Sequence, residues 1–311
     1  MSPHIANTDL NLLKVFEALY TEGSASRAAI LLGVTQSAVS AALSRLRLLY
    51  DEQLFIRTGR GLKPTLLASQ LKPVVSEALD KCRQSLSMAL PAPENFAGRS
   101  VTIGLSDDFE IAIGQKLIGI LARRAPRLRI IFRQSNSQII EDALLDRSID
   151  LAISAGGISS RSLSRELLAE GRYSCVVDPQ YTQLAMDNFD VQQFIAQDQI
   201  LVSSGGFIGV VDEALAALGL KRSIVASTTH FAALPYLLKG TQAIATIPDH
   251  AAQAIAKLSG LRVLPCPVDL PRYPVELSWR TQELIEASVT EARAAIIECF
   301  SAFNQTEQLA P

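Results

Sequence analysis

The sequence predicts an α/β chain: two lobes of alternating strands and helices behind a separate helical module that ends in a short hairpin. Three observations carry this. From Arg99 onward, short apolar runs alternate with helical stretches. Before that point, three short helical patterns are punctuated by Gly23 and Gly33. Between Gly23 and Lys72, seven basic residues stand against two acidic ones, a local charge of +5 in a chain of net charge −2.

Asn7, Thr8 and Asp9 supply cap residues, and Leu12, Phe16 and Leu19 recur at helical spacing, so a first helix runs from Asp9 to Glu22 and ends at Gly23. Ser24 caps a second helix, in which Ala28 and Ala29 allow close packing. Gly33 ends it with a turn that needs positive φ, and Thr35 caps a third. On that third helix Val39, Ala42, Leu43, Leu46, Leu49 and Tyr50 share one side, while Gln36, Ser37, Ser40, Ser44 and Arg47 share an adjoining arc. A short-chained, hydrogen-bonding face with a basic edge suits a DNA major groove. "LFIRTGRGLKPT" (Leu54–Thr65) then reads as a hairpin whose Arg57 and Arg60 reach phosphates or a minor groove.

Thr65–Leu90 has an apolar seam of Leu67, Leu71, Val74, Ala78, Cys82 and Leu86, with a kink expected at Pro73 and an end at Pro91 and Pro93. Two DNA readers need two half-sites, so this helix is expected to dimerise. The expected divisions are residues 1–65 for the DNA reader, 66–92 for the linker helix and 93–311 for the body.

In the body, "VTIGLS", a helix from Asp108 to Arg124, "LRIIFRQ", a helix from Ser137 to Arg147, and "IDLAISAG" predict parallel βαβ units. A second set comprises "YSCVVD", "QILVSSGG", a helix over Val210–Leu218, "SIVAS", another over Phe231–Leu238, "AIATIP" and "LRVLP". "PVELSWR" and a helix over Gln282–Phe303 return to the first set. Lobe I is thus expected over about 99–168 and 273–303, and lobe II over about 169–272. Ligands of such sheets bind beyond strand C-termini. Ser106, Asp107, Ser135, Asn136, Ser203, Ser204, Gly205, Thr229, His230 and Thr246 are therefore the candidate small-molecule contacts. Each position there also suits helix capping, and it is their clustering at one end of the sheets that argues for a site. Asp107 and Asp108 would repel an anionic ligand if they point inward, so the charge of the effector stays open.

Other classes are disfavoured. No apolar run approaches the ~18–20 residues of a membrane span, and the N-terminus lacks a secretory pattern, so a cytoplasmic protein without a membrane partner is expected. Cys82, Cys175, Cys266 and Cys299 are scattered and read as reduced thiols, with a redox pair as the alternative. GxSxG, HExxH, Walker A and CxxC motifs are missing, "GGFIG" lacks dinucleotide spacing, and His4, His230 and His250 form no dyad. No enzyme, metal or cofactor is expected, and a transport solute carrier would have no use for the basic module.

The run from Asp9 to Thr65, in "DLNLLKVFEAL", "SASRAAILLGVTQSAVSAALSRLR" and "LFIRTGRGLKPT", resembles the winged helix-turn-helix of LysR-type transcriptional regulators. Its wording is most similar to the nodulation-regulator and MexT-like branch. The resemblance implies a transcription regulator that binds double-stranded DNA and responds to a small-molecule effector. It places Gln36, Ser37 and Ser40 at bases or phosphates and Arg57 in the wing's groove, with Ser26, Arg27, Thr35, Ser44, Arg47 and Arg60 completing the DNA-binding set. Many relatives carry Arg or Lys where this chain has Ala41, so base preference does not transfer. For the body it implies a two-lobed effector domain of type 2 periplasmic-binding-protein fold. It further implies homodimers or homotetramers, with RNA polymerase a candidate partner.

Overall fold

The structure is a computed structural model that describes residues 8–59, 61–87, 96–182, 189–203, 205–281 and 286–307. Two compact units emerge: the N-terminal helices with the hairpin form one, and both five-stranded sheets form the other.

In the first unit, local signals set the boundaries. α1 (Asn11–Glu22) stops where Gly23 takes φ 56° and its N–H bonds Leu19 O. The Ser24 side chain accepts the Arg27 N–H at the start of α2 (Ala25–Leu32), and Gly33, at φ 67°, closes it. The Thr35 hydroxyl accepts the Ala38 N–H at 3.2 Å to begin α3 (Gln36–Tyr50). β1 (Phe55–Thr58) and β2 (Gly61–Pro64) pair antiparallel, with Arg57 opposite Leu62. α4 (Leu66–Ser87) continues through Pro73.

Leu12, Phe16, Leu19, Ala28, Val39, Leu43 and Leu46 form one core, which Ala68, Val75 and Leu79 of α4 join. The expected single seam on α4 is thereby corrected. Leu67 and Leu71 lean on this core, whereas Val74, Ala78 and Leu86 are exposed. The helix has two apolar faces because its inner one completes the small upstream domain.

In the second unit, lobe I holds the sheet β4-β3-β5-β12-β6, made of β3 (Ser100–Leu105), β4 (Arg129–Gln134), β5 (Leu151–Ser154), β6 (Leu163–Gly171) and β12 (Tyr273–Arg280). α5 (Asp107–Arg124) and α11 (Ala287–Glu307) supply Phe109, Ile113, Leu117, Ala292, Ile296 and Phe300 to its main core. α6 (Ile140–Leu145) belongs to a smaller cluster with Ile149 and Leu163.

Lobe II holds β11-β7-β10-β8-β9, made of β7 (Tyr173–Val177), β8 (Asp198–Val202), β9 (Ser223–Thr228), β10 (Ile244–Pro248) and β11 (Arg262–Pro265). Its helices are α7 (Val191–Ile195), α8 (Val210–Ala217), α9 (Leu234–Leu238) after a 3-10 turn at Phe231–Ala233, and α10 (Asp249–Ser259). Beneath α8, the Arg222 guanidinium is only 1% exposed, bonds Asp212 at 2.9 and 2.6 Å, and donates to Gln199 Oε1 at 3.0 Å.

The sheets are mixed rather than wholly parallel, a second correction. β3 pairs parallel with β4 and β5, and β8 with β9 and β10, but β12 runs antiparallel to β5 and β6, and β7 to β10 and β11. The antiparallel strands border the two passages between lobes. A strand entered from the other lobe is not delivered by a crossover helix, so nothing forces it parallel. β6 pairs with β12 through Gly171, placing the outward passage at Arg172.

Candidate nucleic-acid interface and effector site

α2 and α3 meet at 108° across the Gly33 turn. Burying Val39, Leu43 and Leu46 leaves Gln36, Ser37, Ser40 and Ser44 exposed and Arg47 half-buried. Ser26 Oγ donates to Gln36 Oε1 at 3.0 Å, so α2 holds this amide and its nitrogen end remains to donate outward. The Thr35 and Ser37 hydroxyls share a bond of 2.9 Å, and Ser44 Oγ donates to Ser40 O at 3.2 Å.

The local positive charge is less available than its count suggests. Arg27 pairs with Glu22 at 3.5 Å and also donates to the Glu22 carbonyl, which ties it to the end of α1. Arg45 pairs with Asp9 at 2.9 Å. Lys72 is buried, with Nζ donating to Ser76 Oγ at 2.6 Å and standing 5.8 Å from the Tyr20 ring. Arg57 and Lys63, both on the hairpin, are exposed. Arg60 lies outside the described residues.

The hairpin is held by a close backbone approach. Leu62 N–H donates to Gly23 O at 2.7 Å. Gly61 has φ 128°, and a Cβ there would stand 2.4 Å from the same Gly23 oxygen. Only glycine meets both conditions. Arg57 is thereby positioned from the α1–α2 turn.

In the second unit, the C-terminal ends of β3, β9 and β10 lead into elements that meet across the lobes. Asp107 Oδ2, at the start of α5, accepts the Ala232 N–H at 3.0 Å, while its Oδ1 is buried with no partner among the described residues. Asp108 Oδ2 stands 2.9 Å from His250 Nε2, its Oδ1 accepts from Ser106 Oγ, and the Phe109 ring stacks on His250 at 4.6 Å and 9°. His250, read from sequence as a scattered histidine, is thus an interlobe residue with a side chain 13% exposed. Nothing local could have marked it, since its partner is distant in the chain.

Other candidates are distributed unevenly. Ser135 Oγ is buried without a partner among the described residues, and so is Ser154 Oγ at the end of β5. Ser154 was missed although the strand-end rule also covers it. Tyr273 OH is likewise buried with no partner among the described residues. Burial first, then Tyr173, Asp108 and Asp249, hold its phenol far above the ordinary range, so it stays neutral. Asn136 is exposed and accepts the Gln138 N–H at 3.0 Å in a local turn. Ser203 Oγ accepts from the exposed Gly205 at 3.2 Å. Thr229 and His230 are exposed. Thr246 Oγ1 sits 3.5 Å from Cys175 Sγ. Ser204 lies outside the described residues. Among those described, no group of three or more His, Cys, Asp or Glu is arranged to hold a metal.

Two family profiles match, described as "Bacterial regulatory helix-turn-helix protein, lysR family" over residues 10–68 and "LysR substrate binding domain" over 95–300. The chain belongs to the LysR family. This LysR-family regulator is 29% identical over 279 residues to the HTH-type transcriptional activator NahR of Pseudomonas putida, covering 89% of this chain and 93% of that protein. It is 31% identical over 275 residues to Nodulation protein D 1 of Bradyrhizobium japonicum, covering 87% and 84%. The solved structure of the probable transcriptional regulator PA0477 from Pseudomonas aeruginosa superposes with a TM-score of 0.72 at 29% identity, covering 96% of this chain and 98% of that one. The LysR-family chain is therefore a DNA-binding transcription regulator with an effector-binding domain.

Proposed function

We propose that this regulator reads a palindromic duplex operator with Gln36, Ser37 and Ser40, steadied by the hairpin Arg57. The observation that carries it is the exposed polar face of α3 beside a hairpin fixed at Gly23 and Gly61. Ser26 and Thr35 orient that face, while Arg27 acts through Glu22 and the end of α1. Ser44, Arg47 and Arg60 extend the contact along the phosphates. The outer stripe of α4, with Val74 64% and Leu86 70% exposed, pairs two copies. The regulator acts in the cytoplasm as a homodimer or homotetramer, with RNA polymerase a candidate partner.

The effector lies where α5 meets lobe II, against Ser106, Asp107 and Ser135, with Ser203, Gly205, Thr229, His230 and Thr246 as outlying candidates and Asn136 at the rim; Ser204 is a candidate by sequence. Buried oxygens without partners support this reading, because leaving a polar atom unsatisfied costs about 1–3 kcal/mol and a ligand donor relieves it. The bare Asp107 oxygen favours a ligand bearing a hydroxyl or ammonium there. A ligand shifts the operator response only by preferring one lobe arrangement. Mapping the DNA bound by the protein in cells tests the function. Discrete palindromic sites beside promoters are expected, and uniform occupancy without preferred sites would contradict it.

A further inference from the structure

Sequence spacing gives the four cysteines no relation, but the lobe II sheet relates two of them. Cys175 on β7 is directly opposite Leu264 of β11. Cys266 lies two residues beyond Leu264, so side-chain alternation returns it to the face that carries Cys175. Both residues belong to one apolar cluster, close enough for each thiol to shift the other's ionisation. Their surroundings differ. Cys175 is fully buried among Val177, Phe194, Leu264 and Val268, whereas Cys266 is half-buried and lines an open groove of about 1010 Å³ with Arg262 and Lys257. Cys266 thus borders solvent and Cys175 does not.

Their chemistry is also asymmetric. The neighbouring Cys175 thiol, together with the Val268 N–H and the Arg222 charge, holds the Cys266 thiol below its ordinary range despite burial. The Cys266 thiol in turn, and then burial, push Cys175 well above it. These directions make Cys266 the more readily ionised thiol of the two.

We propose that Cys266 and Cys175 form a hydroperoxide-sensitive site that closes to an intramolecular disulfide. The Cys266 thiolate attacks one peroxide oxygen; an S–O bond forms as the O–O bond breaks, giving a sulfenic acid and a hydroxide that takes up a proton as water. Sulfur gives two electrons to the peroxide. Cys175 Sγ then attacks Cys266 Sγ, the S–S bond forms, the S–O bond breaks, and hydroxide leaves with the Cys175 proton as a second water. Two thiols and one hydrogen peroxide become one disulfide and two waters.

The bond would tie the two interlobe passages at their roots. Cys175 follows the outward passage at Arg172, and Cys266 opens the segment that returns to lobe I at Tyr273. Diagonal strand neighbours stand about 7–8 Å apart, beyond the ~4.4–6.8 Å that a disulfide allows between Cα atoms. Closure therefore draws the start of the return segment toward β7 and takes Cys175 away from Thr246.

The test treats the reduced full-length protein with a small excess of hydrogen peroxide, because susceptibility follows thiolate character and exposure. Thiols are then counted and non-reduced peptides mapped. The wild type should lose two of its four thiols and yield a Cys175–Cys266 crosslinked peptide. Cys266→Ser should keep Cys175 reduced. Cys175→Ala, with Cys175→Ser as the alternative should the first fail to fold, should carry a dimedone adduct on Cys266. Amide exchange across residues 172–178 and 262–272 should slow about tenfold in the oxidised wild type and not in peroxide-treated Cys266→Ser. Oxidation of Cys82 with both pair thiols intact would overturn the site, as would Cys175 reacting in Cys266→Ser. Unchanged exchange in a protein carrying the crosslink would overturn the link to the passages.

Discussion

Replacing Gly61 with alanine separates two reasons for a glycine in the DNA-reading unit. At φ 128° an alanine is strained by about 1–3 kcal/mol, and its Cβ would stand 2.4 Å from Gly23 O. Making room for it breaks the 2.7 Å bond from Leu62 N–H to that oxygen, a further loss of about 1 kcal/mol. Together these give about 2–4 kcal/mol against the docked hairpin, or roughly 30- to 800-fold in its opening equilibrium. Gly33 is the control: it has φ 67° but nothing within 4 Å of an added Cβ, so Gly33→Ala bears only the left-handed conformation, about 1–2 kcal/mol. Residue-resolved hydrogen exchange on the full chain reads both variants. The Leu62 amide should lose its protection in Gly61→Ala by at least 30-fold, while Gly33→Ala weakens the Val34 amide, bonded to Ala29 O at 3.0 Å, more modestly. Leu62 protection equal to that of the wild type would refute the idea that the Gly23–Gly61 approach holds the hairpin.

Val74→Glu, on the exposed face of α4, should leave the fold intact and lower the oligomeric state in sedimentation, whereas Leu71→Glu should disturb the core it leans on; unchanged sedimentation for Val74→Glu would place the pairing surface elsewhere. Asp212→Asn strands the Arg222 guanidinium, which is 1% exposed, and should destabilise lobe II by about 3–5 kcal/mol near neutral pH. Although burial opposes it, Arg222 and the Gly209 N–H hold the Asp212 carboxyl below its ordinary value. Its stabilisation is therefore complete above about pH 4 and fades as pH falls through the lower folded value, so wild type and variant should converge in acid unfolding. A gap that stays constant into strong acid would exclude this ion pair as its source. His250→Ala removes the partner of Asp108 and the ring stacked on Phe109, and should raise exchange at the Ala232 amide about tenfold with α3 unaffected; equal protection would show that the contact does not hold the lobes.

Much of the first unit was legible because its determinants are local. Ser24, Gly33 and Thr35 act within a few residues of themselves, and the pattern from Val39 to Leu46 defines the exposed face by elimination. The fate of Lys72 was not legible, since its burial depends on α4 packing it against the Tyr20 ring of α1. In the second unit β6 was hidden by Arg165, Glu166 and Glu170, charges that suit a sheet edge but read as a loop. α10 also went unread behind the apolar run that precedes it. Strand-end reasoning named Asp107 and Ser135, which have buried oxygens without partners among the described residues, together with Asn136 and Ser203, whose side chains bond within their own turns. Contacts such as Asp108–His250 and Cys175–Cys266 depend on tertiary pairing between distant segments, which periodicity does not encode.

Gln36 is the side chain on which sequence reading most depends, held by Ser26 and aimed outward from the first turn of α3. The most direct measurement compares base preferences of the wild type and Gln36→Ala on a randomised duplex library at fixed salt. At least one position in each half-site should lose a preference worth about 1–3 kcal/mol, roughly 5- to 150-fold, while affinity for nonspecific duplex is unchanged. Identical preferences in the two proteins would contradict the assignment of α3 as the reader.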